Sequence, residues 1–407
     1  MDKAVLVLNS GSSSLKFSVF NLANEESIFS GIAEQLNSPN AKVSYSFGDE
    51  TVAETIPAAG HQEVLDYLLA SLTKHRLVQG LCAVGHRIVH GGEFFHCSTL
   101  IDDEVIDKIK ACNHLAPLHN PANLLGVEAV KQALPGLPQV AVFDTAFHQT
   151  MDKQCFLYAL PYEYYRSHGV RRYGFHGSSH RYVSEEAIKR LNLPADNSAV
   201  ITAHLGNGCS AVAVLNGRSV DSTMGLTPLE GLVMGTRCGD IDPSIHSFLT
   251  NQLNISLEEV TEILNTKSGL LGISELSNDM RALWQASDDG NEQAQLAIDI
   301  FCFRLAKHIA GLQVSLGRLD GLVFTGGIGE NDHRVRAKVL DHLSYLGFEV
   351  SINRNEYHGV KSESLISSDQ GIPVLVISTQ EELVIARDTK QLVEQVSSNL
   401  KEVSADD

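Results

Sequence analysis

Nowhere among the 407 residues is there an apolar run of the roughly 18 residues a membrane-crossing helix requires. Positive charge is scarce: 31 Lys and Arg stand against 49 Asp and Glu, a formal charge of −18. Nucleic-acid binding depends on neutralising phosphates with Lys and Arg, so a polyanion is repelled by most of such a surface. A small anion is still allowed, given a local positive pocket. The seven cysteines, at 82, 97, 112, 155, 209, 238 and 302, form no C-x-x-C pair. That scatter excludes a disulfide framework or a zinc ribbon and reads as reduced thiols. The first residues, Met-Asp-Lys-Ala, run straight into an apolar stretch, so no signal peptide is expected and a cytoplasmic protein is. Two familiar phosphate signatures are missing as well. No stretch matches G-x-x-x-x-G-K-[ST], and Gly327-Ile328-Gly329 lacks the rest of G-x-G-x-x-G.

The length calls for two domains, with three as the upper alternative. Strand-like runs recur at 4–8, 16–20, 140–144, 199–204, 211–215, 321–325 and 373–377, and 42–47 with 51–56 forms a hairpin pattern. Helical periodicity lies between them. Ile298, Phe301, Leu305, Ile309, Leu312 and Leu316 recur every three or four residues, as do Val64, Leu65, Leu68, Leu69 and Leu72. The mixture reads as α/β. There is also an internal echo. VLVLNSGSSSLKFSVF at 5–20 and AVITAHLGNGCSAVAVL at 199–215 each set a turn of small residues between two apolar strands. Two related halves facing a shared cleft, or a chance likeness of two hairpins, both account for it.

Several stretches carry chemistry. Small turns let backbone N–H groups converge on an anion, so Ser10–Lys16 and His204–Ser210 read either as phosphate nests or as plain surface turns. FTGGIGEN at 324–331 is a third glycine turn, ahead of an expected helix. Arg87, within GHRIVHGGE, suits a planar anion or a buried carboxylate. LAPLHNP presents His119 on a Pro-bounded loop. Asp144 ends an apolar strand, where α/β sheets present functional groups, although capping the next helix is an alternative. RRYGFHGSSH offers His176 and His180 four residues apart. Gly177 and two serines argue for a polar loop there rather than a metal-binding helix. Arg237 sits in a glycine-rich loop at 224–243. Glu381 and Glu382 open a helix pattern, as dipole caps or as metal ligands. Together these make a kit for phosphoryl transfer, which works by positioning and charge neutralisation.

With NSGSSSLKF, GHRIVHGGE, APLHNP, FDTAFHQT, RRYGFHGSSH, HLGNG, STMGLTPLEGLVMGTRCGDIDP, SGLLG, FTGGIGEN and EELVIA in series over residues 9–386, the sequence resembles the acetokinase family. That family lies in the acetate and sugar kinase, heat-shock chaperone and actin superfamily. The resemblance implies two duplicated ribonuclease-H-like, actin-like ATPase domains around a central cleft. Domain I is expected at 1–148 plus 382–407, and domain II, carrying nucleotide and dimer contacts, at 149–381. It implies Mg²⁺, with Mn²⁺ as a substitute, near Asn9 and Glu381, and catalysis by Asp144, His176 and Arg237. Arg87, Val89, Leu118, His119, Phe175 and Pro228 are implied on the acetate side. Lys16, His204, Leu205, Gly206, Asn207, Gly208, Asp279, Met280, Arg281, Gly327, Ile328, Gly329, Glu330 and Asn331 are implied to hold ATP or ADP. A homodimer is implied, with no membrane or nucleic-acid partner.

The implied reaction is ATP + acetate ⇌ ADP + acetyl phosphate. A carboxylate with a pKa of about 4.3 is ionised at neutral pH and needs no general base. Asp144 is therefore expected to orient Mg²⁺ or its waters. One methylene in an apolar pocket discriminates by only about 10–200-fold, which keeps propionate or butyrate kinase as the alternative. An actin- or chaperone-like ATP switch is the different-class alternative, and a histidine-based metallohydrolase is a third. The sequence departs from the usual family pattern at Ser178, Cys209, Cys238 and the Ser-Thr-Gln before Glu381. Cys209 and Cys238 flank phosphate-site residues, so thiol modification is expected to inhibit.

Overall fold

The computed structural model describes residues 3–117 and 119–403. The chain divides into two compact units, Met1–Phe147 with Gln380–Asp407, and His148–Thr379.

The first unit is built on an eight-stranded sheet. Its strands are β1 (Ala4–Ser10), β2 (Ser14–Asn21), β3 (Ser27–Glu34), β4 (Lys42–Phe47), β5 (Glu50–Thr55), β6 (Leu81–Ile88), β7 (Thr99–Leu100) and β8 (Gln139–Phe143). Their order across the sheet is β5-β4-β3-β2-β1-β6-β8-β7. The hairpin β1–β2 is antiparallel, whereas β1, β6 and β8 run parallel. The run VLVL is apolar on both faces because both faces of β1 are covered. Leu6 and Leu8 pack with Val64, Leu65 and Leu68 of the helix His61–Lys74. Val5 and Val7 pack with Ile385 and Ala386 of the helix Glu381–Val403. A central parallel strand enclosed this way reads as a continuous apolar run. Removing one such side chain, Leu6→Ala for example, costs about 2–5 kcal/mol, a large part of a domain's stability.

That packing explains one displaced boundary. Glu381, expected in domain II, opens the helix that covers β1 and belongs to the first unit. His148 likewise falls in the second unit, where its ring lies 2.9 Å from Ser219 Oγ and 2.9 Å from the Phe175 carbonyl.

The second unit holds a five-stranded sheet of β9 (Ala199–Leu205), β10 (Cys209–Leu215), β11 (Arg218–Ser222), β12 (Gly321–Thr325) and β13 (Val374–Val376). Its order is β11-β10-β9-β12-β13. Here too a hairpin, β9–β10, is antiparallel, and β9, β12 and β13 are parallel. The sub-sheet β3-β2-β1-β6-β8 has the same order and the same strand directions. The echo in the sequence is thus a repeated fold. The helix Gly177–Arg190 covers one face through Val183 and Ala187, against Val323 and Leu375. The helix Glu292–Leu316 packs against β9, β10 and β11, and its buried stripe contains the six apolar residues expected from periodicity.

Candidate functional site

In the first unit the functional side chains sit at the C-terminal ends of the parallel strands and in the turn after β1. Arg87 lies near the end of β6 and Asp144 follows β8, so the parallel pairing of those strands brings them together. Arg87 Nε donates to Asp144 Oδ1 at 2.9 Å and Nη2 to Oδ2 at 2.7 Å. Asp144 is buried, while the Arg87 side chain keeps 23% exposure. Burial works against the guanidinium charge, but the charge and hydrogen bonds of Asp144, with a contribution from Glu381, hold its pKa above the ordinary value. The fork leaves Nη1 for a second planar anion. Both oxygens of Asp144, the residue expected to orient a metal or its waters, accept from Arg87.

The turn after β1 is pinned through its carbonyls. His61 Nε2 lies 2.8 Å from the Gly11 carbonyl, Asn123 Nδ2 donates to the Ser10 carbonyl at 2.6 Å, and Gly11 N–H closes on Ser14 O. Asn9 faces Lys16 across the hairpin. Lys16 Nζ pairs with Glu382 at 2.6 Å, and Glu382 also accepts from Ser18 Oγ. The lysine side chain is 55% exposed, and exposed pairs are worth only about 0–1 kcal/mol, so the pairing leaves it able to turn to another anion. The two adjacent glutamates therefore differ, Glu382 serving Lys16 and Glu381 acting on Arg87. His119 stands at the N-cap position of the helix Asn120–Ala133, with no capping hydrogen bond from its side chain. Leu118 lies outside the described residues.

In the second unit the β9–β10 turn gathers the expected groups. A Cβ on Gly208 would meet Arg237 Nη2 at 3.1 Å and His176 Nε2 at 3.5 Å, so both side chains reach the turn and close against its backbone. Arg237 Nη1 donates to the Pro228 carbonyl at 2.8 Å. Among the described residues no carboxylate pairs with Arg237, and burial pushes its pKa below the ordinary guanidinium value. It is a cation in want of an anion. Pro228, implied on the acetate side, acts here through that carbonyl, and Phe175 is buried with its carbonyl against His148.

His176 has a left-handed backbone, φ 56°, immediately before the helix Gly177–Arg190. Non-glycine residues held there carry about 1–3 kcal/mol of strain and cluster at functional sites. The polar loop expected at 177–180 is in fact the first turn of that helix, held down by its buried stripe, and His180 lies within it. His176 Nδ1 is 2.8 Å from Ser210 Oγ, which also lies 2.7 Å from His180 Nε2. The His176 and His204 rings stack at 4.4 Å, and Ser179 Oγ lies 2.8 Å from His204 Nδ1. Burial, reinforced by His148 and His204, holds His180 well below the usual imidazole range. His148, His176, His180 and His204 contact hydroxyls, a carbonyl and one another's rings. Among the described residues no cluster of three His, Cys, Asp or Glu could hold a metal.

Beside this turn lies a cavity of about 750 Å³. Gly206, Asn207, Asp279, Met280, Arg281, Gly327, Ile328 and Asn331 of the expected nucleotide set line it. Gly329 and Glu330 do not. The expected turn GGIGEN is a short helix, Gly326–Asn331, whose pitch sends residues 327, 328 and 331 to one side and 329 and 330 to the other. Gly329 is buried, and Glu330 Oε1 accepts from Gly326 N–H and Thr379 N–H. His204, Leu205 and Gly208 also lie outside the cavity lining.

Sequence reasoning missed Trp284, Asp332 and Arg334, which line the same cavity. Arg334 stacks on the Trp284 ring at 3.7 Å, and Trp284 Nε1 donates to Asp332 Oδ2 at 2.8 Å. A signal was present: Arg281, Trp284, Gln285 and Asp288 share one helical face. The cysteine expectation changes too. Cys209 is fully buried, donates to the Gly206 carbonyl, and burial pushes its thiol up to about 12. A thiol in that state is inert at neutral pH. Cys238 is only partly buried, with its pKa raised by burial.

A sequence model of the Acetokinase family matches residues 4–387. An acetate kinase of Shewanella sp. (strain MR-4) is 51% identical over 395 residues, covering 96% of this chain and 99% of that protein. A solved propionate kinase from Francisella tularensis subsp. tularensis SCHU S4 is 46% identical, with a TM-score of 0.92 over 96% of this chain and 99% of its own. The Porphyromonas gingivalis acetate kinase structure is 42% identical, with a TM-score of 0.91 over 96% and 100%. The twice-repeated sheet is the α/β, actin-like ATPase architecture of these kinases. With the match running from the first strand into the last helix, the chain belongs to the acetokinase family.

Proposed function

We propose that the protein catalyses reversible, Mg²⁺-dependent phosphoryl transfer from ATP to acetate, giving acetyl phosphate and ADP. The observation that carries this reading is the half-buried Arg237, with no carboxylate partner among the described residues, beside His176 at the Gly206–Gly208 turn and next to a nucleotide-sized cavity. An arginine that takes up charge on a transferring phosphoryl group contributes about 10³–10⁵ in rate. His176 supplies a further hydrogen bond to the same group. The lining of the cavity, from Asp279–Arg281 with Gly327, Ile328 and Asn331, takes the adenosine.

Acetate is assigned to Arg87, through the guanidinium edge that Asp144 leaves open, with Val89 beside its methyl group. The acid is already ionised, so the doubly hydrogen-bonded Asp144 serves as the anchor of Arg87 and no proton is abstracted. Asn9 and Glu381 supply only oxygen donors, which suits Mg²⁺, a metal usually held by one or two carboxylates, substrate phosphates and water. When bound it neutralises charge on the phosphates. Lys16 leaves its exposed pair with Glu382 to add a positive charge on the nucleotide side. The protein is proposed to be cytoplasmic and homodimeric through the second unit; light scattering checks the latter. Among the described residues no helix is long and apolar enough to cross a membrane.

Hydroxylamine trapping of acyl phosphate, with ATP, Mg²⁺ and acetate, propionate or no acid, tests the reaction. Acetate-dependent product exceeding the propionate-dependent product supports the reading. Absence of any acid-dependent product overturns it.

A further inference from the structure

The loop that follows Arg87 has every backbone N–H from Val89 to Gly92 bound by a side chain. Asn123 Oδ1 accepts from Val89 N–H at 3.0 Å and Asn120 Oδ1 from His90 N–H at 3.1 Å. Thr145 Oγ1 accepts from Gly91 N–H and His90 Nδ1 from Gly92 N–H, both at 3.0 Å. Asn120 also returns a bond to the His90 carbonyl at 2.9 Å. A loop held this way cannot drift without leaving buried amides unpaired, at about 1–3 kcal/mol each.

One member of this cradle reaches further than the others. The Asn123 amide accepts from Val89 with Oδ1 and donates with Nδ2 to the Ser10 carbonyl at 2.6 Å. It thereby joins chain segments 34 and 113 residues away from it. Its two ends are fixed by chemistry, because a backbone N–H can only donate and a carbonyl can only accept. The residue is 2% exposed and rides on the helix Asn120–Ala133, one turn beyond Asn120. APLHNP first drew attention through His119; the helix it opens grips the loop through two buried asparagines.

We propose that Asn123 is a positioning residue that holds the acid-binding loop, Arg87 to Gly92, in register with the Asn9–Ser10 turn. It acts through Val89 on one side and Ser10 on the other. This rests on the proposed assignment of acetate to Arg87 and Val89. Small misplacements matter here, since reacting atoms must meet at about 3–3.5 Å.

The two bonds are separable by mutation. Asn123→Asp keeps an acceptor for Val89 N–H but sets a carboxylate oxygen against the Ser10 carbonyl, whereas Asn123→Ala removes both bonds. Steady-state kinetics with acetate and with propionate, alongside thermal melts, read the effects. Asn123→Ala is expected to raise the acetate KM by about tenfold and to shrink the acetate-over-propionate ratio of kcat/KM. Asn123→Asp is expected to restore the acetate KM and the ratio while kcat stays low. A merely structural asparagine would lower the melting temperature and leave the ratio untouched.

The inference is overturned if folded Asn123→Ala keeps both quantities within about twofold of native. It is also overturned if Asn123→Asp fails to restore the acetate KM. Should Asn123→Ala not fold, Asn123→Asp decides alone: a native-like acetate KM with lowered kcat supports the assignment, and a raised KM overturns it. Arg87→Ala tells the two failures apart. An unchanged acetate KM in that variant overturns the acid-site assignment itself.

Discussion

The two units share a strand order and a small-residue hairpin turn, yet they treat their arginines oppositely. Arg87 in the first unit is compensated by Asp144, whose two carboxylate oxygens both accept from it. Arg237 in the second has, among the described residues, the Pro228 carbonyl and no carboxylate, and burial lowers its pKa. A compensated guanidinium is a rigid template that can orient a further carboxylate at little electrostatic cost. An uncompensated one gains most when a dianionic phosphoryl group arrives. Duplication supplied one scaffold twice, and the neighbours of a single cation set its task.

The largest expected effect tests that division. Arg237→Ala should lower kcat by about 10³–10⁵ with a small change in acetate KM. Arg87→Ala should instead raise the acetate KM by about 10–100-fold, the value of a charge-assisted hydrogen bond. If both variants move the same parameter, the contrast between the units collapses.

The cavity beside the turn of the second unit sharpens the comparison further. Trp284→Ala should raise the nucleotide KM by about tenfold, as expected for losing an aromatic contact face. Trp284 is the single tryptophan of the chain, so ADP should alter its fluorescence in the native protein. Emission that stays constant through ADP saturation would separate the cavity from nucleotide binding.

Thiol chemistry gives a smaller contrast. A thiol reagent should label the exposed Cys97 of the first unit and leave Cys209 of the second untouched in the folded chain, as peptide mapping would show. Labelling of Cys209 before unfolding would show that the β9–β10 turn opens.

The smallest effect is shared between the units. Burial holds His86 at about 4 and His180 well below its ordinary value. As pH falls below roughly 6.5, the unfolded chain takes up protons at these histidines that the folded chain refuses. Stability is therefore complete above that pH and falls as pH drops toward 4, by at most about 1.4 kcal/mol per pH unit for each histidine. Denaturant titrations of His86→Gln between pH 6.5 and 4.5 should show a shallower dependence than native. An unchanged slope would mean that His86 takes up its proton in the folded state.

Much of this was legible in the sequence. β1, β2, β9 and β10 showed because their apolar residues run unbroken, and the six-residue stripe on the helix Glu292–Leu316 showed by its period. β3 and β6 were not seen. Gly31 interrupts β3 because a Cβ there would meet Ser44 O at 2.3 Å and the Phe17 ring at 2.6 Å. In β6 the charged and polar residues His86 and Arg87 break the apolar pattern, being satisfied by Gln139 in the neighbouring strand β8 and Asp144 just after it. Glu330 looked like a ligand because it stands in a glycine motif, and only the helical pitch of that motif shows that it points the other way.

The sequence by itself determined the repeated hairpins, the family, and which charged residues are available, since these follow from local pattern and motif order. Tertiary structure alone decided how those residues are placed: that Asp144 pairs with Arg87, that no carboxylate among the described residues pairs with Arg237, and that Asn123 joins Ser10 to Val89. The physical reason is distance along the chain. Each of these outcomes depends on which partner, tens of residues away, the folded sheet brings within a hydrogen bond's reach, and no local pattern encodes that.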